Sequence, residues 1–152
     1  MTVYSQIIKQ RLAPCGLHCG KCFAFVDGEV QEHSKKLKSA LGNFAGYAER
    51  FVEILDEPLF MKYPSFEEFL NLLTISNCKG CREEKCKLFK NCGVRPCSEE
   101  KGVDFCFQCS EFPCDNTNFD HNLYSRYVGI NKYMKKIGVE DFYKEIKDLQ
   151  RY

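Results

Sequence analysis

The chain has 152 residues and a formal charge of +1, from 22 Lys and Arg against 21 Asp and Glu. That balance gives no electrostatic pull toward nucleic acid or an anionic membrane, and no stretch approaches the ~20 apolar residues that span a bilayer. Thirteen Phe and eight Tyr without any Trp provide aromatic material for one modest core. The expected class is mainly α with little β, as helices around irregular cysteine loops organised by metal, in a single domain over residues 1–152.

In chain order, Met1 to Leu12 has no apolar h-region and no small-residue cleavage site, so the expected location is cytoplasmic. The string APCGLHCGKC follows and carries Cys15, Cys19 and Cys22. Residues 29–74 hold no cysteine and read as three helices. The first puts Leu37, Leu41 and Phe44 on one face. The second carries Phe51, Val52 and Leu55 and is closed by Pro58. The third starts at Ser65, where Glu68 completes the pattern of a capping box, and turns Phe66, Phe69, Leu70 and Leu73 inward.

Residues 77–115 hold the other eight cysteines and look irregular, because Gly80, Gly93, Pro96, Gly102 and Pro113 interrupt any long helix. Within them GVDFCFQC suggests a short strand or hairpin arm. Helical periodicity returns over 120–150. Asp120 can cap a helix carrying Leu123, Tyr127, Ile130, Met134 and Ile137, and Gly138 sits where a terminating glycine belongs. A last helix places Val139, Phe142, Ile146 and Leu149 on one face.

Eleven cysteines cannot all pair, since the count is odd, and without an export signal clustered cysteines favour metal thiolates over disulfides. Cys78/Cys81 and Cys106/Cys109 are CxxC pairs, a spacing whose tight turn aims two sulfurs at one ion. Gly80 relieves crowding inside the first turn. Each pair needs two further ligands. Cys86 and Cys92 can complete one site, and Cys97 and Cys114 the other, while interleaved divisions fit the spacing equally well. Cys15, Cys19 and Cys22 supply three sulfurs and need a fourth ligand, either a cysteine from the later segment or His18. His33 and His121 fall in helical or capping contexts and are weaker candidates. All eleven cysteines are therefore candidate ligands, and the expected cofactor is zinc, as two ions.

CxxxCxxC also holds the four-iron cluster of radical enzymes that use S-adenosylmethionine. Those enzymes need an α/β scaffold of which this chain shows no trace, and the bacterial ferredoxin run is absent. An iron–sulfur or thiol redox protein is the alternative. A second alternative is a nucleic-acid-binding zinc module, in which Lys79, Arg82, Lys85, Lys87, Lys90 and Arg95 would meet phosphates and Phe89 would stack on a base. Glu83, Glu84, Glu99 and Glu100 weigh against it. The sequence contains no HExxH, GxSxG or P-loop, and none of its histidines opens the HxE of a zinc deaminase. No catalytic residue is assigned. No partner is specified either: a protein partner suits an adaptor role, and membrane association is not expected.

Taken together, APCGLHCGKC, CKGC, NCGVRPC, EKGVDFCFQCSEFPC and IGVEDFYKE resemble an uncharacterised cysteine-rich family, domain of unknown function 3795. The resemblance runs from about Pro14 to Tyr152 and takes in all eleven cysteines. It implies metal binding, with zinc as the expected metal, and a helical order around the cysteine segment. It implies no activity or substrate.

Overall fold

A computed structural model describes residues 4–152. Seven α-helices are present among them: α1 (Gln6–Arg11), α2 (Glu29–Leu41), α3 (Ala45–Ile54), α4 (Tyr63–Thr74), α5 (Val94–Lys101), α6 (His121–Ile137) and α7 (Val139–Ile146). Short 3₁₀ turns cover Cys19–Lys21, Pro58–Lys62 and Cys106–Gln108. The described residues hold only two isolated β-bridges, Leu12 with His18 and Phe25 with Cys78. The class is mainly α.

Local chemistry accounts for the boundaries of α6. The Asp120 carboxylate accepts from the backbone N–H of Asn122 at 2.9 Å and of Leu123 at 3.1 Å, satisfying two donors that a helix start leaves free. At the other end Gly138 adopts a φ of 91°, a conformation that costs glycine little. The next helix begins at once, with Val139 and Phe142 buried.

Two hydrophobic clusters share α6. One joins Tyr4, Ile8 and Leu12 of the amino-terminal segment to Phe105, Met134, Val139 and Phe142. The other contains Ala13, Cys15, Leu17, Cys81, Val94 and Tyr127, with Phe89, Phe112 and Phe119 packed around it. Asn131, completely buried, ties these layers together. Its amide donates to the Cys15 carbonyl at 2.7 Å, and its oxygen accepts from the Phe107 N–H at 3.1 Å.

Helices α2 to α4 form an excursion between the two cysteine-bearing segments. Both ends are pinned together: Cys78 N–H donates to Ala24 O and Val26 N–H to Cys78 O, each at 2.9 Å. Gln31 clamps the same junction, donating to the carbonyls of Thr74 at 2.9 Å and Ser76 at 2.8 Å and accepting from Asp27 N–H at 2.7 Å. Inside the excursion, Phe44 packs with tilted rings against Phe51, Phe60 and Tyr63, with centroids 4.8–6.2 Å apart. Its outer surface is apolar. Leu59, Met61, Phe69, Leu72 and Ile75 are each more than half exposed.

Several local expectations are corrected. Leu37 is exposed and Phe44 lies beyond the end of α2, whose buried residues are the polar Gln31 and Ser34. The third helix starts at Tyr63 rather than Ser65, because the 3₁₀ turn runs directly into it and Pro64 suits a first helical turn. Leu70 is buried, while Phe66 and Phe69 face outward. The cysteine segment contains a helix, α5, that the punctuation concealed, and GVDFCFQC forms a 3₁₀ turn instead of a strand. Leu149 lies past the last helix and is exposed.

Candidate metal centre

The backbone turns at the cysteines point sulfurs inward. In the CxxC turns at Cys19 and Cys106, the N–H of the second cysteine closes on the carbonyl of the first, at 2.9 Å for Cys22 and 3.1 Å for Cys109. The turn at Cys78 works through Gly80, whose φ of 96° falls in the region that side chains disfavour. Its contribution is thus backbone conformation rather than the relief of crowding that its place in the motif suggests.

These turns also leave backbone N–H groups facing sulfur. Phe89 N–H donates to Cys86 Sγ and Glu111 N–H to Cys109 Sγ, both at 3.4 Å. The amides of Leu17, Gly80 and Val94 serve Cys15, Cys78 and Cys92 in the same way. Hydrogen bonds to the ionised form stabilise it, so these donors favour thiolates.

The eleven cysteines fall into two groups, and none is in a disulfide. Seven of them (Cys15, Cys19, Cys22, Cys78, Cys81, Cys86 and Cys92) line one cavity of about 40 Å³. The Phe25–Cys78 bridge creates this group by carrying the CKGC turn onto the amino-terminal triad. Ala13, Leu17, Ala24, Phe25, Leu88, Phe89 and Phe119 provide its apolar walls, and Lys87 and Arg151 supply cations. Of the remaining four, Cys106 and Cys114 lie beside the Tyr127 hydroxyl, and Cys97 and Cys109 lie near Cys106. Cys106 N–H bonds to Pro14 O at 2.9 Å, which sets the two groups side by side. Among the described residues no three His, Cys, Asp or Glu side chains stand in a metal-binding arrangement.

Charge interactions run within the groups and also between them, since Cys106 of one group opposes ionisation of Cys15 in the other. Burial pushes the Cys15 thiol well above its ordinary range, and Cys19, Cys106 and Cys92 add repulsion. Burial also raises Cys106, to about 12, with Cys114, Cys97 and Cys109 opposing its ionisation as well. Cys19 is lowered, chiefly because the Cys81 thiol donates to it; Cys81 is raised as the partner that keeps its proton. Tyr127 is raised by burial and by the sulfurs of Cys106 and Cys114, both within hydrogen-bonding reach of its hydroxyl. Burial thus penalises ionisation of Cys15 and Cys106. A bound metal ion removes that penalty.

Two further residues stand near the seven-cysteine group: Arg82, which the sequence singled out only as part of the basic run, and Tyr152. Arg82 places its guanidinium over Phe105 at 4.9 Å and donates to Leu12 O at 3.1 Å and Asp104 O at 2.8 Å, with Cys81, Cys19 and Cys15 nearby. Tyr152 sets its hydroxyl beside Cys22 while accepting from Phe23 N–H at 3.2 Å. The Arg82 bond to Leu12 and the Tyr152 bond to Phe23 each span more than 65 residues of sequence, so no local motif marks them.

His18 is not among the residues lining the cavity. Its ring lies edge-on to Tyr143 at 5.7 Å, and burial with Lys21, Arg11 and Arg151 lowers its pKa to about 4. His33 and His121 are exposed on α2 and α6. Half of the basic run is engaged within the protein, through Arg82, Lys87 and Arg95, while Lys79, Lys85 and Lys90 are exposed. Arg95 pairs with Glu99 at 2.9 Å, Lys87 donates to Asn77 Oδ1 at 2.6 Å, and Phe89 packs edge-on against Phe119 at 5.8 Å. Phe89 is therefore not displayed for stacking on a base.

Residues 11–119 match the family described as "Protein of unknown function (DUF3795)". The matched span includes every cysteine and ends just before α6, so IGVEDFYKE and the closing helices lie outside it. No curated protein and no solved structure matches the chain. The chain belongs to the DUF3795 family.

Proposed function

We propose that this protein is a metal-thiolate protein in which zinc binds both sulfur groups and fixes the loops between helices, giving the metal a structural role. The observation that carries this reading is the gathering of all eleven cysteines, unpaired, into two groups drawn from segments far apart in sequence. Free thiols can serve as small buried hydrophobes. Here, however, only Cys15, Cys22 and Cys81 are buried, and the other eight are partly buried. Backbone N–H donors aimed at sulfur and an apolar shell suit thiolates held by a soft cation.

The donor set fits zinc. Cys97, Cys106, Cys109 and Cys114 would supply the four sulfurs of a closed tetrahedral site, and the seven-cysteine group would supply a second centre. Zinc would contribute positive charge that keeps the thiolates ionised and cross-links the loops. Closed all-cysteine sites leave no position for substrate, which favours structure over catalysis. Iron–sulfur chemistry stays as the second reading, because seven sulfurs around one cavity also suit a cluster.

Elemental analysis of protein purified anaerobically without added metal tests both. Zinc in a colourless sample supports the first reading. Iron with visible absorption replaces it with the second. Chelation of the zinc protein should also unfold it, since metal binding is then part of the folding free energy.

A further inference from the structure

We propose that the apolar surface of the α2–α4 excursion is a dimer interface, covered in solution by the same surface of a second copy of this chain. It does not depend on bound metal. Its basis is that the excursion has no core of its own. Neither hydrophobic cluster takes a residue from 29–74. Over that span only Gln31, Ser34, Ala48 and Leu70 are buried, and just two of these are apolar. Segments this short bury a small fraction of their apolar surface, and oligomerisation is one of the usual remedies. The need for cover is constant, and a second copy is the partner that is always present.

The exposed area matches what a stable dimer buries. Leu59, Met61, Phe66, Phe69, Leu72 and Ile75 are each 45–71% exposed. At roughly 200 Å² for a fully exposed large apolar residue, they present about 700 Å². That exceeds the ~300–600 Å² of the largest patch on a typical monomer and approaches the ~800 Å² that each partner gives to a standard interface. Four of the six recur at every third residue, from Phe66 through Phe69 and Leu72 to Ile75, so they follow α4 to just past its end.

Shape and charge also fit a copy of the same surface. Two adjoining hollows of about 360 and 290 Å³ share Phe60 and Tyr63 as walls; Leu59 and Phe66 edge the first, and Met61 the second. Exposed side chains and hollows thus lie side by side, as a two-fold interface needs if the knobs of each copy are to enter the hollows of the other. Within 45–75, Glu49, Glu53, Asp56, Glu57, Glu67 and Glu68 outnumber Arg50 and Lys62, which disfavours an anionic bilayer as the cover. Arg50 and Lys62 join no ion pair among the described residues, so both are free to meet acids of the second copy.

The test is analytical ultracentrifugation of the full chain at tens of micromolar, purified anaerobically and kept in reductant so that no cysteine cross-links two copies. The expected mass is twice that of one chain, because well-formed interfaces of this size bind at micromolar strength or tighter. Met61→Glu and Phe69→Glu change exposed positions on two different elements. Each should weaken the dimer roughly 100-fold by placing an unpaired charge in the interface, with the helical circular dichroism unchanged. A wild-type monomer at these concentrations would overturn the proposal, and binding of that monomer to phosphatidylcholine vesicles would make a bilayer the cover instead. A dimer that survives both substitutions would refute this surface as the interface. Should one variant not fold, the other variant and the wild-type mass still decide.

Discussion

Tyr127 gives the sharpest test of the four-cysteine group. Its ring is buried among Phe112, Phe119 and Tyr124, with centroids 5.6–5.8 Å away, and its hydroxyl reaches the sulfurs of Cys106 and Cys114. Tyr127→Phe keeps the ring and removes only the hydroxyl. If the sulfurs are metal-bound thiolates, the loss is a hydrogen bond to a charged group, worth about 1.5–3 kcal/mol. Metal affinity at this centre should then fall roughly 10- to 100-fold, the usual effect of removing an outer partner of a ligand. Competition with a chromophoric chelator measures the affinity, and the sulfur-to-cobalt charge-transfer band of the cobalt-substituted protein should shift as the donor is lost. If the sulfurs are instead protonated thiols in a metal-free core, the variant costs about 1 kcal/mol of stability and changes no metal binding. Lower thermal stability with unchanged chelator competition and an unshifted cobalt band would refute the reasoning.

Other outcomes follow from the same geometry. Gly93→Ala should destabilise the protein by about 1–3 kcal/mol, because a Cβ there runs into the Asn116 carbonyl beside the Gly93 N–H to Thr117 O bond; an unchanged melting temperature would count against the packing described. Gln31→Ala should cost about 1–3 kcal/mol and speed amide exchange around Cys78, since the clamp on the Thr74 and Ser76 carbonyls is lost. Zinc binding should release protons near pH 7 and tighten as pH rises, because burial keeps Cys15 and Cys106 (raised to about 12) protonated until metal arrives, while Cys19, lowered by Cys81, releases less. Calorimetry in two buffers of unlike ionisation enthalpy reads this, and identical heats would contradict it. Deleting Arg151 and Tyr152 removes a cation from the cavity and the hydroxyl beside Cys22, so metal loss to a chelator should quicken roughly fivefold, for about 1 kcal/mol.

Features set by local chemistry were legible in the sequence. Asp120 and Gly138 bound α6 as their residue types require, and the mainly helical class follows from periodicity on either side of the cysteine segment. Polar burial was not legible. A hydrophobic pattern cannot find the inner face of α2 when Gln31 and Ser34 form it, so Leu37 was expected inside and lies outside. Helix α5 was hidden by its own punctuation. Pro96 sits in its first turn, where a missing N–H costs nothing, and Gly93 and Gly102 are its two ends. The cysteines were visible as candidates, and one division open to their spacing already kept Cys97, Cys106, Cys109 and Cys114 together, but spacing could not choose it over interleaved ones. The choice depends on contacts between distant segments, chiefly Phe25 with Cys78 and Pro14 with Cys106, and spacing along the chain carries no record of those.

The central claim is that these cysteines hold metal. Its most direct test is metal and thiol content measured together, on protein purified without oxygen or added metal. The account predicts at least about two zinc ions per chain, with thiols that react with a colorimetric reagent only after a chelator is added. A metal-free protein whose eleven thiols titrate at once while its helices remain folded would contradict it.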